Sequence, residues 1–159
     1  MYFYYYYSYI LHILHFYDNG NPYLDKPPLI FWTTGIFFKL FGVSEFVYRI
    51  PSVLFSLLTI YSTFKFSRLY YSERTAEISA LILASCEALF IMNADVRTDI
   101  FLIGPMMLAI WQLSSYFIFK SWLNLIIGSI SVSFAMMGKG PLGFIIPIMI
   151  ISSDLFIRG

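Results

Sequence analysis

The chain has 159 residues, 59% of them hydrophobic, 21% aromatic and only 12% charged, with a mean hydropathy of +0.75. A soluble domain carries about twice that charge, and disorder requires low hydrophobicity with high net charge. Ten Lys and Arg against nine Asp and Glu leave no basic excess for a nucleic acid, so an integral membrane chain remains.

Only helices and closed barrels satisfy every backbone polar group in hydrocarbon. The apolar runs are long and do not alternate as barrel strands would. The expectation is therefore an all-α fold, a polytopic transmembrane helical bundle of about five spans.

In chain order, residues 1–17 form an aromatic segment whose dense tyrosines suit the headgroup level, so it is expected to be interfacial. It lacks a basic start and a small-residue cleavage site, which argues against a signal peptide. His12 and His15 are spaced as on a helix, but without a third ligand they make a poor metal site. Asp18-Asn19-Gly20-Asn21-Pro22 is a turn by composition. Residues 18–45 form an outer loop and juxtamembrane helix, in which Leu29 to Phe41 is too short to cross and Gly42 ends the helix. Residues 46–159 hold the transmembrane region. Its expected spans are Tyr48 to Phe66, with Pro51 in the first turn, then Ala76 to Met92, Ile100 to Phe119, Trp122 to Met137 and Leu142 to Ile157. Glu87 inside the second span is costly unless it is paired or faces a cavity. The single Cys86 reads as a small hydrophobe in an apolar run.

Lys and Arg near span ends mark the cytoplasmic side. Lys65, Arg68 and Arg74 form the strongest cluster, and the alternation of spans brings Lys120 and Arg158 to the same side. Asp18 to Lys26, Asn93 to Asp99 and Gly138 to Pro141 then collect on the outer face.

Each outer segment has a bland and a chemical reading. Asp25-Lys26-Pro27-Pro28 is either a solvated turn or an acid and base presented at the interface by an extended backbone. In Asn93 to Asp99, Asp99 suits a helix N-cap and Asp95 with Arg97 an exposed ion pair, or the three line a polar site. Gly138-Lys139-Gly140-Pro141 is not a nucleotide-binding loop, since GxxxxGK[ST] is absent and no strand precedes it. It is a glycine-terminated helix end, with Lys139 on the face that carries Lys26 and Arg97. Together these three cations could hold an anionic headgroup.

The order Tyr23-Leu24-Asp25-Lys26-Pro27-Pro28, Leu40-Phe41-Gly42, Arg49-Ile50-Pro51-Ser52, Asp95-Val96-Arg97-Thr98-Asp99 and Met137-Gly138-Lys139-Gly140-Pro141 resembles the GT-C membrane glycosyltransferases of the protein O-mannosyltransferase and lipid A aminoarabinose transferase type. The resemblance runs from about Tyr17 onward and rests on joint order and spacing. It implies transfer of a sugar from a polyprenyl-phosphate carrier, the donor substrate, to a lipid, glycan or protein acceptor. The expected setting is the outer face of a bacterial cytoplasmic (inner) membrane, with membrane lipid as partner and no nucleic acid.

By position the resemblance gives Asp25 a divalent-metal role and Lys26 a contact with the carrier phosphate, and Lys139 matches the lysine of a short Lys-Gly motif; with Arg97 on the same face, Lys26, Lys139 and Arg97 are the expected phosphate-binding residues. Tyr23, Asp99 and Asp95 would line the substrate cavity. No Asp or Glu precedes Asp18, so the acid that serves as base in the resembled enzymes has no counterpart and no catalytic residue is assigned. The chain is expected to be a piece incomplete at both ends and inactive alone. The alternative is a small non-enzymatic membrane protein that binds polyprenyl phosphate or acts as a scaffold.

Overall fold

The computed structural model describes Tyr17–Asp18, Asn21–Pro22 and residues 28–158. Among these are seven helices and one antiparallel pair of two-residue strands. The strands, β1 (Tyr17–Asp18) and β2 (Asn21–Pro22), pair Tyr17 with Pro22 and Asp18 with Asn21, in keeping with the turn read from composition.

Helix α1 (Leu29–Phe41) has the limits read from the sequence, and at 13 residues it extends only about 20 Å. It ends at Gly42, whose N–H bonds to Phe38 O at 3.0 Å. Helix α2 (Glu45–Tyr70) begins a turn earlier than expected, because Ser44 accepts from the Val47 N–H at 3.2 Å and caps the helix there. Pro51 therefore falls in the helix interior rather than in its first turn.

The expected span Ala76 to Met92 is two helices, α3 (Glu73–Ala84) and α4 (Glu87–Ala94), bent by 46°. The break has a local cause. The Ser85 hydroxyl bonds back to Ile82 O at 3.0 Å, and Cys86 takes an extended backbone, so the helical ladder is interrupted. Glu87 is thus not in mid-helix. It opens α4, exposed, where the helix dipole favours a carboxylate. Cys86 is exposed at the same break rather than packed as a core hydrophobe.

Three further helices follow: α5 (Thr98–Phe119), α6 (Trp122–Lys139) and α7 (Leu142–Arg158). Helices α2, α5 and α6 are long and apolar enough to cross a membrane, and the bent α3–α4 pair makes a fourth crossing if it counts as one span. The fifth expected span forms α7, whose 17 residues reach about 25 Å, somewhat less than a typical hydrocarbon core.

Successive crossings alternate in direction, with the bent α3–α4 pair counted as one: α5 and α6 meet start to end at Phe101 and Gly138, whereas α2 and α5 run side by side, Phe55 at Phe101 and Tyr61 at Trp111. Helix α5 is central: 56% of its apolar window is buried, against 33% in α2 and 22% in α6, and it packs on both and on α7. The faces that meet it are lined by small and polar residues, as close approach between membrane helices requires. Ser52, Ser56, Thr59 and Ser62 form one buried face of α2, and Gly104 of α5 lets Phe55 of α2 approach closely, its ring 4.9 Å from that of Phe101.

This folding separates the charges. Lys65, Arg68, Arg74 and Lys120 fall at one end of the bundle, where Tyr70 donates to Asp154 Oδ2 at 3.1 Å and Arg68 pairs with Glu73 at 3.4 Å. Residues 93–99 and 138–141 fall at the other. The grouping is the one deduced from loop charge.

Candidate functional site

The polar end is built on an apolar floor. Leu29 and Ile30 of α1, Leu89 of α4, and Ile100 and Phe101 of α5 are buried together, with Met92, Val96 and Met137 packed against them. Four segments of the chain are thereby held within one small area. The first residues of α1, which directly follow the Asp-Lys-Pro-Pro motif, belong to that floor.

The link between α4 and α5 is only Asp95, Val96 and Arg97. The Asp95 N–H bonds to Ile91 O at 3.0 Å and the Arg97 N–H to Met92 O at 3.3 Å, so the turn is closed by its own backbone. Arg97 Nε donates to Asp95 Oδ2 at 3.1 Å, with both side chains more than half exposed. That pair is worth no more than about 1 kcal/mol. Helix α5 starts at Thr98, so Asp99 stands in its first turn and is not the N-cap; the position still suits a carboxylate beside free N–H groups.

Lys139 is the last residue of α6, two residues further than expected, and its ammonium donates to Asp99 Oδ1. Gly138 makes the meeting possible. A Cβ there would lie 2.7 Å from Phe101 O and 2.9 Å from Leu102 N, so only glycine lets α6 approach the start of α5 so closely. Gly140, at φ +69°, then turns the chain out of the helix in a conformation that other residues rarely adopt, and its N–H bonds to Met136 O at 2.7 Å. The Gly-Lys-Gly-Pro stretch is therefore a close-approach residue, a cation, a helix stop and the opening of the turn into α7.

Of the residues read from the sequence, the fold brings Asp95, Arg97, Asp99 and Lys139 to one end. It pairs each cation with an acid: Arg97 with Asp95, Lys139 with Asp99. Tyr23, Asp25 and Lys26 lie outside the described residues, as do His12 and His15. Among the described residues no three His, Cys, Asp or Glu gather as a metal site. Asp95 and Asp99 are each engaged by a cation, so the described donors do not fit a divalent metal and no step is derived through one.

Sequence reasoning gave no role to Asn93, Ser52 or Ser56. Asn93 Oδ1 accepts from Ser52 Oγ at 2.6 Å and from Ser56 Oγ at 2.9 Å, linking the end of α4 to the first third of α2. The available signal was an asparagine closing an apolar helix, and two serines four apart that share a helix face.

A bundle of membrane-crossing helices with a polar end of paired cations and acids defines an integral membrane protein. Residues 25–158 match the family described as dolichyl-phosphate-mannose-protein mannosyltransferase, and the chain belongs to that family. The GT-C resemblance read from motif order therefore holds. The chain is 33% and 28% identical to two uncharacterised proteins of Aquifex aeolicus (strain VF5), over 88% and 83% of its length. It spans only 28% and 30% of theirs. The crystal structure of ArnT from Cupriavidus metallidurans in the apo state has the same fold over 98% of this chain and 30% of that one, with a TM-score of 0.82 at 19% identity.

Proposed function

We propose that the polar end receives the phosphate of a polyprenyl-phosphate sugar, with Lys139, Arg97 and Lys26 as its cations, on the outer face of a bacterial inner membrane. The observation that carries this reading is the convergence of Lys139 and the Arg97 turn at one end of an apolar bundle in a chain of this family. Lys26 is three residues before Leu29 in the sequence. Tyr23, Asp95 and Asp99 are proposed to contact the sugar, and Asp25 is a candidate metal ligand.

The chemistry follows from charge. An acceptor oxygen attacks the anomeric carbon, the bond to the carrier oxygen breaks, and the departing phosphate gains negative charge that nearby cations stabilise. Lys139 must exchange Asp99 for phosphate to do this. Asp99 thus holds the ammonium ready between donors, and phosphate binding replaces one anionic partner with another instead of stripping a solvated cation. The ion pair is also a tuning element, since a weaker Asp99 contact leaves Lys139 freer for the carrier.

The chain spans under a third of its relatives' length, and the activity proposed for these 159 residues is binding of the carrier. The test is equilibrium binding of a long-chain polyprenyl monophosphate to the chain in phosphatidylcholine nanodiscs, with polyprenol as control. Lys139→Met and Lys26→Glu should each weaken binding about tenfold, the loss of one charge-assisted contact. Unchanged binding in both variants would overturn the reading.

A further inference from the structure

Three features stand apart from that site: a buried polar network between α2 and α4, the basic and aromatic rim of the opposite end, and the small-residue face of α2 beyond Ser56. The rim's cations already account for membrane orientation, and the small-residue face accounts for packing against α5. The network has no such explanation and stands beside the candidate site.

Ser52 and Ser56 are fully buried, at 0% and 4% exposure, in a helix face that otherwise serves apolar packing. Neither needs a partner outside its own helix, since a buried serine can bond back to a carbonyl one turn earlier, as Ser115 and Ser131 do here at 2.8 and 2.7 Å. Instead both hydroxyls leave α2 and donate to the same oxygen, Asn93 Oδ1. Ser52 Oγ also lies 3.4 Å from Met92 O, the carbonyl that closes the turn by accepting the Arg97 N–H. One hydroxyl thus touches both the side chain and the backbone from which the Asp95–Arg97 turn springs. Asn93 is two residues from Asp95 and six from Asp99, and α4 itself has only eight residues after a bend. So short a helix has few contacts of its own to fix its end, and in an apolar surrounding two hydrogen bonds to one acceptor form a strong constraint.

We propose that Ser52, Ser56 and Asn93 are positioning residues: they hold the Asp95–Asp99 turn against α2 so that Asp99 faces Lys139 and Arg97 stands at the same polar end. They thereby set affinity for the carrier phosphate without touching it. The inference rests on the phosphate-binding reading above. The network's only required feature at residue 93 is an acceptor, because both serines donate.

Two measurements on the 159-residue chain in nanodiscs test it. The first is a nitroxide label at Ala94→Cys in a Cys86→Ser background, which reports the order of the turn. Asn93→Ala and the Ser52→Ala/Ser56→Ala pair should mobilise the label. Asn93→Asp, which keeps the acceptor, should leave it ordered, and Tyr70→Phe, which removes a hydrogen bond at the far end, should not move it. The second is polyprenyl monophosphate binding, where Asn93→Ala and the double serine variant should each weaken affinity about three- to tenfold, and their combination no further.

An ordered label in Asn93→Ala, an equal response in Tyr70→Phe, or additive losses in the combined variant would each overturn the proposal. If the wild-type chain did not bind the lipid, the phosphate-binding reading would fail, and the label alone would decide whether the network holds the turn.

Discussion

Gly138→Ala is the sharpest test of how the site is assembled. The added methyl would lie 2.7 Å from Phe101 O, 2.9 Å from Leu102 N and 2.9 Å from Phe101 C, all backbone atoms of α5 that no rotamer change can move. Ordinary contact begins at 3.4 Å, so α6 and α5 must part by at least about 0.7 Å in a packed interior that resists such shifts. Overpacking of this kind costs about 1–3 kcal/mol. Because the strained contact is adjacent to Lys139, the separation also pulls its ammonium from Asp99. Reversible unfolding in mixed detergent micelles, followed by helical circular dichroism, gives the stability change. Gly35→Ala is the control: nothing lies within 4 Å of its Cβ in α1, and alanine there should stabilise by up to about 0.5–1 kcal/mol. A double-mutant cycle with Asp99→Asn should show a coupling of about 0.5 kcal/mol or more. A loss for Gly138→Ala no larger than that of neutral surface variants, with no coupling to Asp99, would refute the close approach as the cause of the Lys139–Asp99 pairing.

Three other outcomes follow from the same geometry. Asp99→Asn should raise affinity for polyprenyl monophosphate while Lys139→Met lowers it, and equal losses in both would mean that the acid contacts the ligand in the same sense as the lysine. Asp95→Asn should change stability by less than about 1 kcal/mol, because its pair with Arg97 is exposed, and a larger loss in detergent unfolding would show that the turn depends on it. For topology, a cysteine at Ala94 should react with an impermeant thiol reagent added outside cells and one at Lys120 should not; the reverse pattern would invert the assignment of the two ends.

Much of this architecture is legible from the chain because the bilayer makes composition decisive. Apolar runs of sufficient length must become helices in hydrocarbon, so α1, α5 and α6 begin or end within about two residues of where the sequence places them. Gly42 stops α1 as expected, and the Lys and Arg residues sort to one end because successive crossings alternate in direction. The broken span is different. Ser85 and Cys86 look harmless in an apolar run, and only the back-bonded hydroxyl and the extended cysteine interrupt the ladder. Pro51 likewise gave the wrong start for α2, because a proline that suits a first turn is also tolerated inside a helix whose cap, Ser44, lies a turn further back.

The sequence by itself determined a membrane bundle, its family through motif order, and the set of charged residues on one face. Those depend on local composition and spacing, which a linear chain displays. What only the tertiary structure decided is partnership: that Lys139 meets Asp99, that Gly138 is a close-approach residue, and that two serines of α2 fasten Asn93. These contacts join residues about 40 positions apart, and their energies depend on helix separation and burial, which exist only once the helices have packed.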